Sequence, residues 1–476
     1  MTVLGFSRAP ARSIPLTCLV LAFALFLGTD QPALAAGNTY YVSPSGDDSH
    51  PGTLSQPWRT IGRAAQAAAA GDTVYVRGGN YGESFELEAR GSAEAWVEFL
   101  SYADEKPIIE GPGMDSGTAV KLSGSYIRFA GFEVRNSESA IEMTGDHLEV
   151  ADCYVHDVTY GITGHGGCHD FTLTGVRLSR FFLYGFDASR WGEAEPVCHH
   201  GTFLDCRAEQ ALDTSQNVDG FAFGDGHDFV FYHCLAADVY DGFDIKADRT
   251  VLNRCSASRC SNAGYKLWAD DIQLINCLGA DNGNTHVELD WDGKPGTSTL
   301  FNCTMCGSQT YSIWVEDDRD RLRLFNCILA DSRNIGLCFE QRSVAGYTGD
   351  HNIFHSRNAD RAVVVGYEDE FSLARIKAGD WARFSGQDVH SLISPDPSRE
   401  LFLDLEAGDL HLRPECMAVD SGQAEGAPVV DYDCGQRPSG EGYDIGAYEY
   451  GSALSPECPG ETGFAVDNRK GGRRRR

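Results

Sequence analysis

The sequence predicts an all-β fold: a single right-handed parallel β-helix with an N-terminal helical cap and a C-terminal capping segment. Three observations predict it. Phe-Asn-Cys or a near variant recurs as Leu204-Asp205-Cys206, Tyr232-His233-Cys234, Ile275-Asn276-Cys277, Phe301-Asn302-Cys303 and Phe325-Asn326-Cys327. With Cys255 included, the steps between successive cysteines are 28, 21, 22, 26 and 24 residues, about what three short strands and three turns consume. A glycine–aromatic element then recurs at the same period, in Asp219-Gly220-Phe221, Asp241-Gly242-Phe243 and Ala263-Gly264-Tyr265.

The physical reason is stacking. One coil cannot bury its inward face alone, so like residues must lie above like residues in the next coil. Asn276, Asn302 and Asn326 are expected to form a ladder of side-chain amides at a turn. The cysteines beside them are expected to form an interior ladder of small apolar groups, a role that suits free thiols. Of the 16 cysteines, those in loops keep the disulfide reading open, such as Cys168 with Cys198 or Cys416 with Cys434; the pairing is not assigned.

Outside the repeat, residues 1–35 read as a secretory signal peptide. Arg8 and Arg12 precede an apolar run from Ile14 to Leu27, and Ala33-Leu34-Ala35 supplies the cleavage site. That run is too short to span a bilayer comfortably, so a secreted protein with no membrane span is expected. Residues 36–120 should hold the N-terminal cap and first coils. Within them Trp58 to Ala70 reads as a short Ala-rich helix covering the open end of the stack, followed by the strand Thr73 to Arg77. Residues 121–345 should form the central coils that carry the site, and 346–451 the closing coils and C-terminal cap. Residues 452–476 should be a solvated tail.

The formal charge of −30 disfavours nucleic acid as a partner, because phosphate binding needs basic patches. An acidic protein facing an anionic polymer also needs a cation to offset repulsion.

The second repeat carries the chemistry. Alternation along a strand points the aromatic inward and its neighbours outward. Spacings of 22 residues from Asp244 to Lys266 and from Lys266 to Glu288 put these three side chains one above another on the outer face. Successive coils lie about 4.8 Å apart. Asp219 and Asp241 form a parallel column, and Asp187 falls in the Asp244 column one insertion earlier. Three carboxylates in adjacent coils suit calcium, which takes oxygen ligands. A lysine one coil further suits a base for carbon-acid chemistry, provided burial or positive charge lowers its pKa. The competing reading is a lysine that bridges Asp244 and Glu288, which would hold it protonated.

The run Asn217-Val218-Asp219-Gly220-Phe221-Ala222, then Asp241-Gly242-Phe243-Asp244, then Gly264-Tyr265-Lys266-Leu267 resembles the core of the family-nine pectate lyases. These are secreted parallel β-helix enzymes that use calcium and a lysine base. The resemblance implies that Asp219, Asp241 and Asp244 are calcium ligands and Lys266 is the Brønsted base. The family has two consecutive aspartates ahead of the glycine, and here Tyr240 replaces the first. Calcium must then lose one ligand or find it in a carbonyl, a water or another residue.

The expected activity is a calcium-dependent lyase on an acidic, uronic-acid polysaccharide, acting as a monomer. A β-helical glycoside hydrolase built on paired carboxylates is the nearest alternative, and a non-catalytic carbohydrate-binding surface comes third. Outward aromatics Tyr240, Trp268, Trp291 and Trp314 suit sugar stacking in either case. His165, in Gly164-His165-Gly166, reads as a turn residue.

Overall fold

A computed structural model describes residues 37–189, 197–289, 296–317, 320–341 and 343–455. The expected leader at 1–35, Trp291, most of the 189–198 insertion and the tail beyond 455 lie outside the described residues. Among the described residues no helix is long and apolar enough to cross a membrane.

The chain winds into coils whose strands pair in parallel with their counterparts in the next coil. One sheet has 13 strands, from Thr39–Val42 to Tyr347–Asp350, and a second, of 24, takes its strands from the other sides of the coils. Register is continuous across coils. Phe221 lies on Phe243, Phe243 on Tyr265 and Tyr265 on Val287. The rings of Phe221, Phe243 and Tyr265 stack at centroid spacings of 5.1 and 5.2 Å, close to the strand spacing that imposes them. These side chains are fully buried, as the period-two pattern requires.

The Phe-Asn-Cys repeat is a turn with a fixed backbone conformation. Asp152, Asp205, His233, Arg254, Asn276, Asn302, Asn326 and His351 precede the inward residue of their coils, and all have φ between +50° and +57°. Asn and Asp tolerate this left-handed region better than other L-residues, which explains their recurrence there. The cysteine that follows turns inward. Cys206, Cys234, Cys255, Cys277, Cys303 and Cys327 are buried free thiols. Cys153 is buried in the same way, and burial pushes its thiol up to about 12.

The N-terminal helix spans Ile61–Ala67, shorter than the Trp58–Ala70 expectation. Thr60 caps it through its hydroxyl, which accepts from the Arg63 N–H at 3.2 Å, and the Glu83 carboxylate accepts from Ile61 and Gly62 N–H. Ala68 leaves the helix with ψ 138°.

The C-terminal part does more than close the stack. Two short helices, Leu373–Lys377 and Asp380–Ser385, bring Trp381 into full burial against Tyr347 and Phe339. The segment from Gln423 to Gly446 then runs back along the side of the coils. Asn276, Asn302 and Asn326 donate their amides to carbonyls of Val430, Asp444 and Gln423 at 2.8, 2.9 and 2.9 Å. The predicted amide ladder therefore holds mostly this strap; one rung, Asn326 Nδ2 to Asn302 Oδ1 at 3.2 Å, joins coil to coil.

Of the open disulfide pairs, Cys416 is a free thiol while Cys434 is disulfide-bonded, so they do not pair with each other. Cys168 and Cys198 are buried thiols with sulfurs 3.1 Å apart, adjacent but unbonded.

Candidate active site

Register places the predicted residues as the repeat required. Asp244 pairs with Lys266 and Lys266 with Glu288 in successive coils. Asp187 stands opposite Ala222, which stands opposite Asp244, so Asp187 shares the column two coils earlier. Tyr184 stands opposite Asp219 in the neighbouring column, one coil earlier.

Burial differs from expectation. Asp219, Asp241, Asp244 and Lys266 point away from the coil interior, yet they are only 1, 0, 4 and 8% exposed. The Trp268 ring is one reason, since Lys266 Nζ lies 4.4 Å from its centroid. A charged cluster this dry must be internally compensated, because water cannot solvate it.

Two ammonium groups provide that compensation. Lys266 Nζ is 3.2 Å from Asp241 Oδ2 and 3.9 Å from Asp244 Oδ2. Lys246 Nζ is 2.8 Å from Asp244 Oδ2 and 5.0 Å from the Trp268 centroid. Lys246 was not among the sequence candidates. Its signal was available: two residues after Asp244 on one strand, it shares the outward face. The other oxygen of Asp241 is held by the Asn262 amide and the Ala263 N–H at 2.8 and 2.9 Å.

Burial lowers the pKa of Lys266, but Asp244, Asp241 and Glu288 outweigh it, and the net shift is upward. The ammonium is therefore protonated in this arrangement, held by Asp241 and Asp244 with Glu288 adding to the upward pull. Burial raises the pKa of Asp219 well above the usual carboxylate range, and Asp244 and Asp241 raise it further. Asp241 is also raised, again chiefly by burial, against the opposing pull of Lys266. The cluster is short of positive charge.

The residues present fit a hard cation by one specific feature. Asp219 Oδ1 and Asp244 Oδ1 are buried without a hydrogen-bond donor, and Asp241 Oδ2 meets the Lys266 ammonium at 3.2 Å. The three carboxylates stand further apart than a closed coordination shell requires. Among the described residues, the trio whose ligand atoms all lie within 4.8 Å of one another is Asp350, His351 and His390, elsewhere in the fold.

Of the expected stacking aromatics, Trp268 is half-buried over the lysines and Trp314 stands opposite Glu288. Tyr240, where the resemblance leads one to expect an aspartate, packs partly buried against the core and offers no carboxylate. His165 is buried, with Nδ1 3.2 Å from the Ser189 carbonyl.

A parallel β-helix with a lysine set among buried aspartates on one coil face defines a class, the β-helical polysaccharide lyase-like proteins. The chain belongs to the family described as Pel9A-like, right handed beta helix region, which matches residues 40–304. It is 27% identical over 338 residues to Pectate lyase L of Paenibacillus polymyxa, covering 63% of this chain and 70% of that one. A shorter match, 36% identical over 96 residues, is to Pectate lyase PEL9 of Emericella nidulans and covers 20% of this chain and 23% of the relative. The crystal structure of pectate lyase Pel9A superposes with a TM-score of 0.55 at 15% identity, covering 88% of this chain and 97% of that one. That likeness shows the right-handed parallel β-helix fold.

Proposed function

We propose that this chain is a secreted, calcium-assisted polysaccharide lyase that cleaves a uronic-acid polymer by β-elimination, with pectate as the first substrate to test. Lys266 is the base, and Asp219, Asp241 and Asp244 hold calcium. The observation that carries the reading is a buried lysine amine 3.2 and 3.9 Å from Asp241 and Asp244, in a cluster where Asp219 and Asp244 each keep an unpartnered buried oxygen. Family membership and the pectate lyase relatives support the reaction class.

The chain's own groups explain how the base works. Elimination requires Lys266 to be neutral, and the influences holding its proton are the neighbouring carboxylates. Where their charge is balanced by another cation, burial dominates and favours the free amine. Calcium held by Asp219, Asp241 and Asp244 would supply that charge and would acidify the proton on the carbon next to a uronate carboxylate. Lys266 takes this proton, the glycosidic C–O bond at the next carbon breaks, a C=C bond forms in the new non-reducing end, and the leaving oxygen takes a proton from water to become the hydroxyl of the new reducing end. Lys246, paired with Asp244 and about one-third exposed, presents a further positive charge where an anionic sugar approaches. Trp268 shields the Lys266 amine from water, which strengthens the charge interactions around it.

The test is a panel of uronic-acid polymers with purified protein, with calcium and with chelator, read by the ultraviolet absorbance of the unsaturated product. Pectate with calcium should give signal, chelator should remove it, and Lys266→Ala should abolish it while Glu288→Gln retains it. New reducing ends without absorbance would replace the lyase with a hydrolase, and activity surviving in Lys266→Ala would remove the base assignment.

A further inference from the structure

A second constellation lies at the last coil, separate from the lysine–aspartate column. His351 occupies the turn position that Asn276, Asn302 and Asn326 fill in the three preceding coils, with the same backbone conformation at φ +54°. The next winding pairs Ile353 with Leu392 and Phe354 with Ile393. Continued two residues back, that register sets His390 on His351, and the two rings stack at 4.9 Å and 24°. Asp350 lies beside both. Its Oδ2 is 2.7 Å from His390 Nδ1 and 3.7 Å from His351 Nδ1.

We propose that Asp350, His351 and His390 form a binding site for a divalent first-row transition ion such as zinc, which clips the final winding to the coil beneath it. Two imidazole nitrogens and one carboxylate oxygen, all within 4.8 Å of one another, are the ligand types these ions take, whereas calcium prefers oxygen alone. The side chains are held in place for it. Asp350 Oδ1 accepts from the His351 and His390 backbone N–H groups at 3.0 and 2.7 Å, which fixes the carboxylate and turns Oδ2 toward the rings. His351 Nδ1 is buried and has no hydrogen-bond partner, so one ligand atom is left uncommitted beside the carboxylate.

The His390 loop is anchored as well. Two residues earlier, buried Asp388 accepts from Tyr347 Oη, Trp381 Nε1 and Ser391 Oγ at 2.7, 2.7 and 2.6 Å. His390 itself is 64% exposed at its side chain, so water can complete the coordination and an ion can enter from solvent. A tetrahedral ion with three protein ligands and one water matches that opening.

Full-length protein, stripped with chelator and then saturated with calcium to occupy the aspartate column, is titrated with zinc by calorimetry. Wild type should take up one equivalent with a rise in unfolding temperature. His351→Asn, His390→Ala and Asp350→Asn should each weaken the affinity by roughly tenfold or more. His351→Asn tests binding without threatening the fold, since asparagine already serves at this turn in three other coils. Polymer cleavage by His351→Asn should match wild type, which separates this site from the proposed lyase chemistry. Absence of zinc uptake, or uptake unchanged in all three variants, would overturn the proposal.

Discussion

Replacing Lys266 with methionine isolates the charge balance on which the site depends. Methionine keeps an unbranched chain against Trp268 and removes only the ammonium. At 3.2 and 3.9 Å from Asp241 and Asp244, the pair attractions are about 5 and 4 kcal/mol at an effective dielectric of 20. Part of this was spent on desolvating the amine, so the net loss for breaking a buried pair is about 3–5 kcal/mol. The loss should appear in chelator, in mildly alkaline buffer where the carboxylates resist protonation. With saturating calcium the same carboxylates are compensated, and the loss should fall to about 1 kcal/mol, the scale of a volume-conserving swap. Thermodynamic linkage then requires Lys266→Met to bind calcium more tightly than wild type, by roughly thirtyfold for a 2 kcal/mol difference. Urea unfolding followed by tryptophan fluorescence, with and without calcium, measures the first quantity, and calorimetric titration measures the second. Equal destabilisation in both conditions, with unchanged calcium affinity, would refute the idea that lysine and calcium share these carboxylates.

Two further outcomes concern the strap and its fastening. Asn302→Ala puts a β-carbon without a compensating amide at φ +51° and deprives the Asp444 and Gly446 carbonyls of a buried donor. It should destabilise by about 3 kcal/mol and release the C-terminal segment to protease before the coils are cut, as mass spectrometry would show. His411 ties the same region together, bonding Asp409 and Asp433 at 2.6 and 2.7 Å. Burial disfavours its charged form, but these two carboxylates prevail and raise its pKa. Its contribution is therefore complete below about 6.5, the unfolded value, and is lost as pH rises through the raised folded value. Hydrogen-exchange protection around Asp409–Leu412, corrected for the intrinsic rise of exchange with pH, should fall across that window in wild type and stay level in His411→Gln.

The coil architecture was legible in the primary structure because a solenoid repeats its contacts. Each Phe-Asn-Cys unit encodes a left-handed turn and an inward thiol, and 22-residue steps force Asp244, Lys266 and Glu288 into one column. Strand alternation also marks Lys246, two residues beyond Asp244 on the same outward face. The limits of each element were harder to see, as the end of the helix at Ala67 shows, since the alanine run continues to Ala70.

Long-range packing decided the rest. Periodicity says which way a side chain points from its coil, but not what lies over it, so the near-total burial of the aspartates was invisible until Trp268 was seen above the lysines. Chain separation hid the strap, because Asn302 meets a carbonyl 142 residues away and no local pattern records that contact. The pairing of His351 with His390 arose the same way: an irregular winding with two helices intervenes, and only closure of that long loop by parallel register brings the rings together. Repetition writes neighbouring coils into the sequence, whereas contacts made once, across long loops, are settled by the free energy of the folded whole.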